Sequence, residues 1–402
     1  MKLIKCDYKP NKKIINYDNI VANITDKLFA KKSFKFEFID ISNYSPKILI
    51  LNSEIYDAGG HTECALRYIK TFNNDYPIYF YLTNVFCRNS DIGAPVKSQI
   101  IKENVKEYYE SSADKRIDER IIELYKYILA NKITTINVNI HENDVTACAI
   151  LYLIKKYTNI NIIFWNHADH FYSLGTNFAD KILTRCKNGK PITPYLYKQN
   201  NALFLPFLIP EYKKEINDNL REELNIPNNA IITLTGCGIH KLGTRYFELI
   251  KQILDNNKNI YHVWVGNADE KIKTKLYKKY KLDSNRFIIK NITPDFNSYI
   301  TMCDFYVDSF PQGSALTLID CIQMKKPVVI KINKQNKFKS FEEYLYKNYE
   351  LAASDEKEML SMILKLAEDK TFYNQMQEKV YNHFQNTYSA KTTKSLYEEL
   401  IK

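Results

Sequence analysis

Two α/β lobes, each a parallel sheet wound with helices, are what this sequence predicts, and three observations predict them. Short β-branched runs bounded by turn residues alternate with longer stretches of helical period, the pattern of parallel strands joined by crossover helices. The 402 residues exceed what one hydrophobic core usually organises, which favours two domains of roughly 200 residues each. Near residues 207–227, proline, charge and asparagine interrupt the alternation before a fresh βα series begins.

In the first half the strand candidates are 47–52, 77–83, 134–140, 161–166, 181–184 and 202–206, with helical patterns near 60–73, 117–131 and 144–157. In the second half strands are expected at 230–236, 260–266, 286–290, 304–308 and 327–331, and helices at 243–256, 269–280, 295–302 and 315–324. This divides the chain into an opening segment at 1–45, an extension or extra layer; a Rossmann-like domain at 46–212; and a second Rossmann-like domain at 213–402. The last 45 or so residues read as long terminal helices belonging to the second domain.

Composition excludes several classes. With 45% hydrophobic residues, 10 Gly and 12 Pro, the chain is neither collagenous, disordered nor low-complexity. The eight cysteines are scattered without a C-x-x-C pair, so free thiols in a reducing compartment are expected. The opening residues have too little apolar sequence for a signal peptide, and no run approaches the roughly 20 apolar residues of a membrane span. A cytoplasmic location is the expectation. The net charge of +11 is compatible with nucleic acid, anionic lipid or a phosphorylated small molecule. Its lysines are spread through amphipathic helices such as 271–282, and no nucleic-acid-binding signature accompanies them, so no nucleic-acid partner and at most peripheral membrane association are expected.

Four segments carry candidate chemistry. The first is 304–331, where a buried strand ends in Asp308 and Ser309, turns through Pro311, Gln312 and Gly313, and enters a helix near Ser314, Ala315, Leu316 and Thr317. Small and hydroxylated residues at a helix start leave backbone N–H groups open, and these donors with the helix dipole bind phosphate. Asp320, one turn on, is placed to accept hydrogen bonds from a ribose. The second is 233–247, in which a strand runs into Gly236, Gly238 and Gly243; Lys241 there can neutralise a departing diphosphate. As a solvated loop lysine it would do nothing.

The third segment, 51–69, follows a strand with Gly59, Gly60 and His61 and a helix that Thr62 can cap. An imidazole there suits proton abstraction near neutral pH, although a turn histidine satisfied by backbone fits as well. The fourth, 164–175, places His167, Asp169 and His170 after a strand. Three such groups fall short of the four ligands usual in a structural zinc site, so an acceptor or catalytic role is the expectation and no metal is assigned. His141 and Glu142, after another strand, are weaker candidates.

The segment 304–320 resembles the donor-binding motif of GT-B glycosyltransferases. Retaining members carry E-G-x-G-x-x-x-x-E there; Gln312-Gly313 opens this version and Asp320 closes it. It looks closer to the peptide O-GlcNAc transferases and their bacterial relatives, which are inverting enzymes: Asp304, Asp308, Phe310, Pro311, Gly313, Thr317 and Asp320 match, while Leu316 replaces a residue that is often polar. The resemblance implies a GT-B fold, two Rossmann-like domains facing a central cleft, with acceptor site first and donor site second. It implies transfer of a sugar from a nucleoside-diphosphate sugar, with UDP as the carrier and no further cofactor, to a protein or glycan acceptor. On this reading Gly60, Gly238, Lys241, Gly313, Ser314, Ala315, Leu316, Thr317 and Asp320 hold the donor, and His61, His167, Asp169 and His170 serve catalysis. No D-x-D occurs in the chain, which fits a metal-independent donor site, and Gln312 in place of glutamate favours inversion. A sugar-nucleotide epimerase or hydrolase, and a basic protein binding nucleic acid or lipid without catalysis, are the alternatives.

Overall fold

The computed structural model describes residues 16–56, 60–85, 94–167, 172–184, 201–209, 217, 219–293, 295–333 and 344–401. The chain divides into two compact units, residues 1–210 with 393–402, and residues 211–392.

Among the described residues the first unit is built on seven parallel strands: β1 (Ile48–Asn52), β2 (Ile78–Leu82), β3 (Glu107–Glu110), β4 (Thr135–Asn139), β5 (Asn161–Asn166), β6 (Lys181–Thr184) and β7 (Ala202–Phe204). Their order, β3-β2-β1-β4-β5-β6-β7, reverses direction between β1 and β4. Strands covered by helices on both faces are apolar throughout, which is why ILIL and INV ran unbroken in the sequence. Helices α2 (Gly60–Phe72), α3 (Ala94–Lys102), α4 (Ile117–Ala130) and α5 (Val145–Tyr157) accompany them. The α3 helix and edge strand β3 (EYYE, no residue of it fully buried) carried too weak an apolar pattern to be expected from sequence.

The opening segment contains a helix, α1 (Tyr17–Ala30), packed on α5. Asp18 anchors it: its buried carboxylate accepts the N–H groups of Gly175 and Asn177 at 2.8 and 2.9 Å. Burial nonetheless pushes the Asp18 pKa up.

The second unit carries β8 (Ile231–Gly236), β9 (Ile260–Val265), β10 (Phe287–Lys290), β11 (Phe305–Val307), β12 (Val328–Lys331) and β13 (Ala352–Ala353), all parallel in the order β10-β9-β8-β11-β12-β13. Here the reversal falls between β8 and β11. Its helices are α6 (Leu220–Glu223), α7 (Thr244–Asn256), α8 (Glu270–Tyr280), α9 (Phe296–Met302), α10 (Leu316–Gln323), α11 (Glu356–Glu368) and α12 (Lys370–Thr387).

The last helix, α13 (Ala390–Ile401), departs from the expected division. From Thr393 onward it clusters with the first unit. Tyr397 donates to the Pro206 carbonyl at 3.1 Å, Asn161 donates to the Leu400 carbonyl at 2.6 Å, and Lys394 pairs with Asp75 at 2.7 Å. Periodicity reveals that α13 has a face to bury, carried by Thr393, Tyr397 and Ile401, but not which core receives it. No helix among the described residues is long and apolar enough to cross a membrane.

Candidate active site

Ligands of doubly wound sheets bind outside the carboxyl ends of the strands where strand order reverses. In the second unit that place lies beyond β8 and β11, where the two strongest sequence segments come together. Lys241, on a 3-10 turn at Ile239–Lys241, donates through Nζ to the Gly313 carbonyl at 3.3 Å. Gly243 N–H donates to the Phe310 carbonyl at 2.9 Å, tying the same two loops by backbone.

The loop after β11 is shaped by its own polar groups. Asp308, 2% exposed, takes the Ser314 N–H on both carboxylate oxygens, at 3.0 and 3.2 Å. Ser309 Oγ donates to the Gln312 carbonyl at 2.8 Å. The Ser314 hydroxyl lies 3.3 Å from the Tyr306 hydroxyl and 3.4 Å from Ser309 Oγ. Ser314 therefore spends its N–H and its hydroxyl on the loop, although sequence offered it as a ligand contact. The N–H groups of Ala315, Leu316 and Thr317, at the cap and first turn of α10, have no partner among the described residues. These three are the available donors, and since they are backbone groups the apolar Leu316 side chain does not remove one.

Asp320 is 8% exposed, one turn further along α10. Gly238 has an extended backbone, and a Cβ there would meet the His240 ring at 2.7 Å. Gly236 has a firmer reason to be glycine: a Cβ would sit 2.1 Å from Phe296 Cζ. Burial pushes the Asp308 carboxyl up to about 7, against the pull of the Lys241 ammonium. Burial likewise pushes the Cys237 thiol up to about 12, which keeps it protonated and unreactive.

In the first unit the reversal lies beyond β1 and β4. Strands β1, β4 and β5 all end in asparagine, and Asn52, Asn139 and Asn166 are each fully buried. Asn139 Nδ2 donates to Asn52 Oδ1 at 2.6 Å and to the His61 carbonyl at 3.2 Å, and its Oδ1 meets His167 Nε2. Sequence reading passed over this network; three strands ending in the same amide side chain were the signal available.

The His61 ring lies between two other imidazoles, 5.2 Å from that of His141 and 4.9 Å from that of His167 between centroids. Both its ring nitrogens are out of solvent. Burial first, then His141, lowers its pKa to about 3, so the ring is neutral near pH 7 but a weak base. His141 is better equipped: its Nε2 is 2.8 Å from the Tyr56 hydroxyl, its Nδ1 is 3.7 Å from Glu142, and its side chain is 28% exposed. Gly60 is the first residue of α2. Thr62, expected as its cap, lies inside the helix instead and accepts the Tyr56 N–H at 3.0 Å. Asp169 and His170 lie outside the described residues. Among the described residues no group of three potential ligands is arranged to hold a metal ion.

No protein-family model matches the chain, and no curated protein matches it by sequence. Solved structures do. HepE from Anabaena, crystallised with UDP and glucose, is 13% identical with a TM-score of 0.68, covering 89% of this chain and 99% of its own. The O-GlcNAc transferase of Thermobaculum terrenum is 12% identical with a TM-score of 0.61, over 98% of this chain and 74% of its own. A UDP-N-acetylglucosamine 2-epimerase is 14% identical with a TM-score of 0.58, over 89% and 95%. With its two parallel sheets and flanking helices, the chain has the GT-B fold, the class the motif resemblance implied.

Proposed function

We propose that this protein is an inverting, metal-independent glycosyltransferase that moves a sugar from a nucleoside-diphosphate sugar, with UDP as the carrier, to a protein or glycan acceptor. The observation that carries the reading is the row of open N–H groups at Ala315, Leu316 and Thr317 with the Lys241 ammonium on the neighbouring loop. Backbone donors at a helix start and one lysine ammonium make an anion site for a diphosphate. The HepE structure, bound to UDP and glucose, supports a nucleotide sugar as the ligand of this fold.

In an inverting transfer the acceptor oxygen bonds to the anomeric carbon as the bond to the diphosphate breaks. The acceptor proton passes to a base and the negative charge to the departing diphosphate. Lys241 and the three N–H groups stabilise that growing charge, an effect worth several kcal/mol when donors are preorganised (roughly 3–4 for a single donor). Among the first unit's imidazoles, His141 with Tyr56 and Glu142 has the chemistry of the base, and Asn139 orients His167. Asp320 remains the ribose contact on the motif's authority. The relationship to O-GlcNAc transferases, and with it a protein acceptor, rests on the motif at 304–320.

The test is a thermal-shift screen against UDP, GDP, ADP, CMP and dTDP, since a ligand selective for the native state raises the melting temperature. A shift with UDP that disappears in Lys241→Ala and Asp320→Ala supports the donor site. Folded protein that responds to none of the five overturns it. Because the epimerase shares the fold, UDP-N-acetylglucosamine is also incubated without acceptor. Conversion of the free nucleotide sugar to its epimer, or its steady hydrolysis, would replace transfer with the second reading.

A further inference from the structure

One buried carboxylate belongs to the donor loop and yet has no place in the transfer chemistry. Asp308 stands directly behind the open N–H groups: it holds the Ser314 N–H on both oxygens, and Ala315, the next residue, offers the first free donor. A diphosphate seated on these donors would sit next along the backbone to the N–H held by a carboxylate that is almost sealed from water. Neighbouring like charges in a poorly solvated place disfavour ionisation of the titratable partner.

In the free protein the Lys241 ammonium, and after it hydrogen bonds from Ser314 and Ser309, favour the ionised form of Asp308. Lys241, from the turn after β8, is the cation that acts on it. Cys237 after β8, Tyr246 on α7, Tyr306 on β11 and Cys321 on α10 also feel its charge, and burial pushes the pKa of all four up, so each is neutral near pH 7. Lys241 is also the group that a bound diphosphate would recruit. Binding therefore adds negative charge beside Asp308 and draws away the cation that compensates it.

Resting on the donor-site reading, we infer that Asp308 is a positioning residue that takes up a proton when the nucleotide sugar binds, so that donor affinity rises as pH falls through neutrality. The neutral carboxyl still accepts the Ser314 N–H through its carbonyl oxygen, and the loop keeps its shape. The free-state pKa near 7 places the change in an accessible range. By linkage, an upward shift of one unit on binding makes affinity about tenfold tighter well below neutrality than well above it, with uptake of about half a proton near pH 7.5. The sugar-linked diphosphate keeps a fixed charge through this range, so the titration belongs to the protein.

The experiment is calorimetric titration of the full chain with UDP-glucose and with UDP-N-acetylglucosamine between pH 6 and 8.5, in buffers of different ionisation enthalpy. Wild type is expected to bind more tightly at pH 6 than at 8.5 and to take up protons. Asp308→Asn, neutral and of the same shape, is expected to bind with a flat pH profile and no uptake, its folding confirmed by thermal unfolding. His240, exposed on the Lys241 turn, is the other titratable group of the loop. A pH dependence that survives in Asp308→Asn assigns the proton to such a group and overturns the inference. Should Asp308→Asn fail to fold, proton uptake by wild type and His240→Asn still decides: none in wild type, or its loss in His240→Asn, overturns the inference. Binding with no dependence in wild type overturns it too while leaving the donor site standing, and no binding at any pH removes the donor-site reading itself.

Discussion

Asp308 and Ser314, six residues apart, are joined by a carboxylate that takes one backbone N–H on both oxygens, at 3.0 and 3.2 Å. This contact closes the turn between β11 and α10, and the next three N–H groups have no partner among the described residues. Four predictions follow from the arrangement around it and from its counterpart in the first unit.

Lys241→Met keeps the length of the side chain and removes its charge. Lys241 is half-buried and, among the described residues, makes one hydrogen bond, to the Gly313 carbonyl, so unfolding free energy should change by less than about 1 kcal/mol. Affinity for UDP-glucose should fall between about tenfold and a hundredfold, the value of a hydrogen bond to a charged group. Unchanged affinity by calorimetry would remove Lys241 from the donor site.

Gly236→Ala should destabilise the second unit by about 1–3 kcal/mol, because the added methyl overlaps the Phe296 ring and β8 is held by pairing on both sides. Adding Phe296→Ala to it should cost less than the two single changes summed, since the clash is then gone. Strict additivity of the three denaturation midpoints would mean that the ring is not what excludes a side chain at 236.

Asn139→Leu leaves Asn52 Oδ1 and the His61 carbonyl without the Asn139 donor and takes the Asn139 oxygen away from His167. A loss of about 2 kcal/mol or more is expected from buried polar groups left unsatisfied. Transfer activity should fall further than stability explains, whereas Asn139→Asp, which keeps the oxygen facing His167, should retain more of it. Equal activity in the two variants, compared under conditions where both are folded, would deny His167 a role.

His262, fully buried, holds Thr233 Oγ1 at 2.7 Å and the Tyr246 hydroxyl at 2.9 Å, and burial lowers its pKa to about 3. Below about pH 6.5 the unfolded chain binds a proton that the native ring refuses, so this residue's contribution is complete above 6.5 and is lost as pH falls toward 3. The unfolding free energy of wild type relative to His262→Gln should therefore decline by about 1.4 kcal/mol per unit below pH 6. A difference that stays constant from pH 7 to 5 would show that the ring titrates normally in the fold.

Much of this was legible in the sequence because parallel strands and crossover helices leave a local record. The apolar runs at 47–52, 134–140 and 230–236 announced buried strands, and the passage from 304 to 320 announced a strand, a turn and a helix start. Those features depend on backbone period and on the steric needs of neighbours in the chain. Contacts between distant segments leave no such record. Tertiary structure alone turned Ser314 inward onto Tyr306, set Thr62 beneath Tyr56, brought Asn139 to His167 and sank His61 between two imidazoles. It also gave the final helix to the first unit: an amphipathic period states that a face must be buried, and only the packed chain determines that Tyr397 buries it against Pro206.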